Sequence, residues 1–295
     1  MCIITRLLKI NSKSLFNMRY KLLLLLVCFM HLSTNANDIK SDILSKKKKA
    51  INYLMNDKVK LEKYNFVTLC YLNSYYNLGL DLQAESFIQN LSSTDRSEIE
   101  IVSPFYKADT CIESSRLDNN YNNPYNLMFY SLYCNCPYFK LEIFNTNLQT
   151  LYNRYSTDSI TNKEAYQLTH LLFAIAYVKE KLNIKQLDND IENKYATLIT
   201  EKIINNAAVS IQDEYKVEAL MSMMFAGYYK QSFESLLLQL IKLQEKDGSW
   251  QLKDDNEYTE KSAKSAFQKF EYNKYIQHNT IVGLWSLLAW EKLIQ

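Results

Sequence analysis

Apolar residues recur along this chain at helical spacing, in two kinds of pattern. In the first kind a stripe of apolar residues runs down an otherwise polar helix. Ile191, Tyr195, Leu198, Ile199 and Ile203 form such a stripe, because positions three and four apart share one helix face. In the second kind the helix is apolar all round: residues 171–178, from Leu171 to Val178, contain no polar side chain except the Tyr177 hydroxyl. Such a helix is expected to be buried on every side.

The two kinds alternate. A pair is predicted over about 41–79, with faces marked by Ala50, Ile51, Leu54 and Met55, then by Phe66, Leu69, Cys70, Leu72 and Tyr76, ending near Gly79. A shorter helix follows over about 82–91. Helices are predicted again over about 125–135, from Pro137 through about 153, over 161–182 and over 188–205. Thr161 with Glu164 three residues on is a capping-box signature. Val217, Leu220, Met221, Met224, Phe225 and Tyr228 mark the next helix, Phe233–Leu243 another, and Thr280–Ile294 a last one that is apolar on nearly every side. The expectation is ten to twelve helices, paired at roughly 40–50 residues, without a strand. Two stretches break the rhythm. Residues 93–124 carry Pro104, Pro124 and the polar run Asp118–Asn123, and read as a long irregular loop. Residues 251–276 are polar and read as an insert with a short exposed helix.

Composition agrees with helices. Only 4 Gly and 3 Pro occur in 295 residues, far fewer than the turns of an all-β fold of this size require. Charge has to be read after the first 36 residues are set aside. Arg6, Lys9, Lys13, Arg19 and Lys21 precede the apolar run 22–32, and small residues follow to Ala36. That order is a secretory signal peptide, and its run is too short for a membrane helix. Residues 1–36 are therefore expected to be removed, leaving one domain over 37–295, secreted or periplasmic, with no membrane span. The five leader cations leave 34 − 5 = 29 Lys+Arg against 32 Asp+Glu, a net of −3. Without a basic surplus nucleic acid is not an expected partner, and Lys46–Lys49 reads as a solvated helix start.

Four cysteines follow the leader: Cys70, Cys111, Cys134 and Cys136. An even number in an oxidising compartment suggests disulfides. Cys134 and Cys136 are too close in sequence to favour each other, so Cys70 and Cys111 are the natural partners of that couple. The alternative for Cys70, inside an apolar helix, is a buried free thiol. Cys134-Asn-Cys136 has no nearby His, which argues against a metal site.

Gln244-Glu-Lys-Asp247-Gly248-Ser-Trp250, followed by His278-Asn-Thr-Ile-Val-Gly-Leu-Trp285, resembles the helix-pair turns of α/α-toroid proteins, the superfamily of terpene cyclases, protein prenyltransferases and thioester domains. The Gln–Gly–Trp spacing looks like the back half of the QW motif of triterpene cyclases; where its front half has an aromatic residue, this chain has Gln239. The resemblance covers about 120 residues from Thr161 on. It implies an all-α toroid of inner and outer helices, the alternative being an open helical-repeat array. It does not bring the chemistry of those families. Neither Asp188-Asn-Asp190 nor Asp254-Asp255 is the Asp-x-Asp-Asp acid of class II cyclases, no Cys precedes Gly as a thioester requires, and no Cys–His pair stands at zinc-ligand spacing.

The remaining candidates are His170, Glu218 and His278. Each sits on a helix that reads as inner, so all three are expected to face one cavity, as a general acid–base group or part of a metal site. The plainer reading makes His170 a locally satisfied core residue and His278 a helix cap. Glu164 and Asp247 are weaker candidates, and Asp247 belongs with Gln244, Gly248 and Trp250 to a structural turn. No cofactor and no metal are expected. The expected function is binding of an unknown ligand or protein partner at the concave end of the toroid. The alternatives are a secreted lyase or hydrolase of a polysaccharide or peptide, and an isoprenoid cyclase relative. Amino-terminal sequencing of the exported protein is expected to begin at or near Asn37.

Overall fold

The computed structural model describes residues 40–56, 59–107, 110–156, 159–184, 187, 190–206, 208–252 and 266–295. The signal-peptide expectation lies outside them. The chain divides at Ser45, and apart from residues 40–45 at the start of the first helix everything below concerns the unit Lys46–Gln295. Among the described residues every regular element is helical. The helices are α1 (40–54), α2 (Lys63–Tyr75), α3 (Ala84–Gln89), α4 (Ser93–Ile99), α5 (Pro124–Leu132), α6 (Leu141–Tyr155), α7 (Asn162–Lys181), α8 (Ile191–Ile199, continued by a wider turn Thr200–Ile204), α9 (Glu214–Phe225), α10 (Gln231–Lys242) and α11 (Ala266–Leu293). Tight 3₁₀ turns occupy Glu100–Phe105 and Ser114–Arg116. No described helix is long and apolar enough to cross a membrane.

Burial follows the two sequence patterns. On α7 every residue from Leu171 to Val178 is buried, as an all-round apolar helix must be. On α9 the buried residues run without a break from Lys216 to Met224. By contrast α6 buries only the stripe Phe144, Leu148, Leu151 and Tyr155, and α10 buries Phe233, Leu237, Leu240 and Ile241. The buried helices pack on one another in series: α5 against α7, α7 against α9, α9 against α11, and α11 against α2. The turn Glu100–Phe105 touches both α2 and α5. The striped helices pack on this series, α6 on α5, α8 on α7, and α10 on α9 and α11. The Thr161 capping box is formed, with the Thr161 Oγ1 accepting from the Glu164 amide and the Glu164 carboxylate accepting from the Thr161 amide.

Two expectations are corrected. The stretch 93–124 is not one irregular loop, since it contains α4 and both 3₁₀ turns. Ser92 caps α4 by accepting from the Asp95 amide. Lys63 of α2 reaches across to Asp95 and Glu98, so a polar helix with little apolar periodicity is held by charge from a distant element. Ile99, Val102 and Pro104 then bury against the core. The last helix also begins earlier than Thr280. It is continuous from Ala266, so the insert is shorter than expected and its described part belongs to α11; residues 253–265 lie outside the described set. No Gly or Pro interrupts 266–279, and Gln277 helps bind this stretch to α2 by accepting from the Glu62 amide and donating to the Lys60 carbonyl.

The cysteines also take definite places. Cys111 and Cys136 form a disulfide across 25 residues, fastening the segment before α5 to the segment after it. Cys70 and Cys134 are buried free thiols, and burial pushes both thiol pKa values up, to about 12 and about 11. Of the two pairings considered, the one through Cys111 is present and the one through Cys70 is absent.

The turn after α10 is held by its named residues. Trp250 is fully buried and donates its indole N–H to the Leu240 carbonyl at 2.9 Å, while its backbone amide donates to Thr280 Oγ1 of α11 at 3.1 Å. Gln244 donates to the carbonyls of Lys46 and Gly248, and its backbone pairs with that of Trp250 in an isolated bridge. Asp247 accepts from the amide and hydroxyl of Ser249. Gly248 has φ +101°, a conformation side chains resist, and a Cβ there would overlap the Lys49 carbonyl. On α11, a Cβ at Gly283 would lie 2.8 Å from the Trp250 ring. Trp250 therefore dictates a glycine in the middle of a helix that would otherwise favour alanine.

That relation makes a test by sign. Gly283→Ala is expected to lower stability in the parent protein, because the ring cannot retreat. In a Trp250→Ala background the same change is expected to be neutral or stabilising by up to about 1 kcal/mol, the helix preference of Ala over Gly. Trp250→Ala alone is expected to cost about 3–5 kcal/mol. Urea unfolding of the four proteins reads all three values.

Candidate functional site

Glu218 stands in the second turn of α9 and only 3% of its side chain is exposed. Burying a carboxylate is costly unless it is hydrogen-bonded and paired, and neighbours on two other helices supply both. Thr169 of α7 places its hydroxyl 3.0 Å from Glu218 Oε2. His278 of α11 places Nε2 3.2 Å from Glu218 Oε1. The Tyr166 phenol of α7 is buried beside the same carboxylate, and burial followed by Glu218 and Glu214 holds its pKa far above the usual tyrosine range.

One turn before Glu218, Glu214 lies on the same face of α9, as residues four apart must. Its Oε1 is 2.8 Å from His278 Nε2, so the imidazole lies against both carboxylates. Burial alone would push the His278 pKa down; Glu214 and then Glu218 outweigh it and raise it from 6.5 to about 10. His278 is therefore an imidazolium at neutral pH. The ring sits deep in the protein, yet 35% of its side-chain surface is accessible, because it faces a cavity.

His170 is the fourth member of the group. Its Nδ1 lies 2.9 Å from the Tyr166 carbonyl and 3.8 Å from Glu218 Oε2, and its ring packs against Tyr166 and Tyr125. The carbonyl contact suits a protonated Nδ1, which leaves Nε2 as the ring's other polar atom.

His170, Glu218 and His278 line one cavity of about 230 Å³. Its walls are otherwise mostly apolar. Tyr64 and Val67 come from α2, Val102 and Phe105 from the 3₁₀ turn, Met128 and Phe129 from α5. Phe173 of α7, Met221 of α9 and Trp285 of α11 complete it. Every helix of the buried series contributes. The polar group thus occupies one part of an aromatic and aliphatic chamber.

The three residues singled out in the sequence are brought together. One detail is corrected: His278 does not cap the final helix but lies within α11, bonded to carboxylates of α9. Glu164 is spent on the α7 cap, and Asp247 on the Trp250 turn. Glu214 was not singled out; its spacing of four from Glu218 puts the two on one face of α9, but only the packing of α11 sets it against His278. With Glu214 included, the Glu214, Glu218 and His278 ligand atoms all lie within 4.8 Å of one another, so this trio could hold a metal ion. Without an ion the arrangement is a carboxylate–imidazolium group that can hold or pass a proton at Nε2.

The raised His278 pKa sets a pH dependence. A group whose folded pKa exceeds its unfolded value stabilises fully below the unfolded value and ceases to as pH climbs through the folded one. In chelator-treated protein, stability is expected to fall between pH 6.5 and about 10. Exposure to the cavity screens the pair and reduces the size of the loss. Urea midpoints across that window should fall more steeply for the parent than for His278→Gln; equal slopes would exclude the imidazolium. No family model, curated protein or solved structure matches the chain.

Proposed function

We propose that this chain is a small-molecule binding protein of the α/α-toroid kind, with α2, α5, α7, α9 and α11 as its inner helices and the cavity at their centre. The toroid reading is supported by the packing series, in which α2, α11, α9, α7 and α5 follow one another and the turn Glu100–Phe105 links α5 back to α2. It is supported too by the alternation with the striped helices. Export and a secreted or periplasmic location remain part of the proposal, on the strength of residues 1–36.

The observation that carries the function is a mostly apolar cavity with one charged end. Such a chamber suits a ligand with an apolar body and one polar group. Glu218 lines the chamber and offers a carboxylate acceptor there. The site therefore favours a hydroxyl or an ammonium over a carboxylate. Apolar walls of this size fit a polysaccharide or peptide poorly, which sets the lyase and hydrolase readings aside. A second reading has its own support. The rings of Phe105, Phe173 and Trp285 face the charged end, and aromatic faces are what the shelter of a carbocation would need. An isoprenoid-like ligand fits both readings.

The chelator-stripped full chain titrated with 1-decanol, decylamine and decanoate tests the proposal. The alcohol and the amine are expected to bind and alter tryptophan fluorescence, and decanoate to bind at least about tenfold more weakly, about 1.4 kcal/mol. Trp285→Phe should remove most of the signal, and Met221→Trp, which fills the cavity, should remove binding itself. Equal affinity for all three probes, or binding indifferent to Met221→Trp, would exclude this cavity as the site.

A further inference from the structure

The charged end of the cavity has the composition and spacing of a metal-ligand set. Two carboxylates and one imidazole converge from two helices. His278 Nε2 is 2.8 Å from Glu214 Oε1 and 3.2 Å from Glu218 Oε1. Four-coordinate zinc, with bonds of about 2.0–2.1 Å, separates its ligands by roughly 3.3 Å. The two separations from His278 lie within about half an ångström of that value, and the two carboxylates lie within 4.8 Å of each other. Nitrogen and carboxylate oxygen together suit first-row divalent ions such as zinc, whereas magnesium and calcium favour oxygen alone.

Two observations beyond the spacing favour an ion over a closed ion-pair network. The first is the mix and place of the donors. Two buried carboxylates and an imidazole nitrogen meet at one point beside a cavity, not on the open surface where acidic groups commonly cluster without an ion. The second is the support around Glu218. With Oε1 turned to the trio, Oε2 is held by the Thr169 hydroxyl, the outer-layer bond that ligating carboxylates typically have. Glu218 and His278 also line the cavity, which leaves an ion there one side open to a water or a ligand.

We propose that Glu214, Glu218 and His278 bind one first-row divalent cation, zinc being the representative, with an open coordination position facing the cavity. Glu218 binds through Oε1, and Thr169 fixes its orientation. His170 stays outside the ligand set, since its Nδ1 is turned to the Tyr166 carbonyl. No redox step is involved; the ion binds, and it polarises what reaches the open position.

The test uses the chelator-stripped full chain and zinc chloride, with binding followed by calorimetry. One zinc per chain is expected. Removing an outer-layer partner typically costs 10–100-fold, so Thr169→Val should weaken binding by about that factor. Glu218→Gln and His278→Ala should each weaken it more than about 100-fold. Glu192→Gln, which breaks an ion pair with Lys179 elsewhere, should leave the affinity unchanged. X-ray absorption at the zinc edge on the unmodified chain needs no variant to fold. A nitrogen–oxygen shell with imidazole scattering supports the site. A sulfur shell, which would place the ion on Cys70 or Cys134, overturns it, as does the absence of binding at millimolar zinc or affinity unaltered by Glu218→Gln and His278→Ala. The zinc titration contains no alkyl probe, so its failure leaves the apolar cavity's ligand untouched.

Discussion

A carboxylate in the interior has to be answered by its surroundings, and Glu218 is answered from two neighbouring helices. α7 brings the Thr169 hydroxyl, and α11 brings the His278 ring, which Glu218 shares with Glu214 of its own helix. None of these bonds is local in sequence; the separations are 49 residues to Thr169 and 60 to His278. An ionised group that lost these partners inside the core would destabilise it by several kcal/mol. The polar group is therefore part of the reason that α7, α9 and α11 hold one relative register, and the apolar walls around it are free to be smooth. Apolar contacts alone fix a register loosely, because one leucine can replace another along a packed helix.

Much of the helical plan is written in local pattern. The all-round apolar run of α7 and the stripes of α8 and α10 need no partner to be recognised. Thr161 and Glu164 mark the start of α7 within a few residues of each other. What escaped depends on distant residues. α4 has the composition of a loop, Ser-Thr-Asp-Arg-Ser-Glu, and is helical where Lys63 of α2 supplies the opposite charge. The early start of α11 is masked by polar residues whose partners, such as the Lys60 carbonyl, lie more than two hundred positions away.

The site was legible in the same proportion. His170, Glu218 and His278 could be singled out as ionisable residues on helices otherwise built for burial. Glu214 could not be told from an ordinary acid in a first turn, where a negative charge favours the helix dipole on its own account. Nothing in the spacing says that His278, rather than solvent, lies across from it. The difference between a helix-stabilising acid and a ligand is made by the neighbouring helix, and that information is tertiary.

Gly283 and Thr280 give α11 a further property. Trp250 lies against the first and is hydrogen-bonded to the second, and His278 stands two residues before Thr280 on the same continuous rod. A helix seated on a bare glycine can neither turn about its axis nor slide by a residue without driving a side chain into the indole. Turning by a single position, about 100°, would also swing the imidazole away from both carboxylates. The tryptophan turn thus works as an indexing pin for the charged cluster. Damage to the pin would spoil the cluster's alignment without touching any of its atoms.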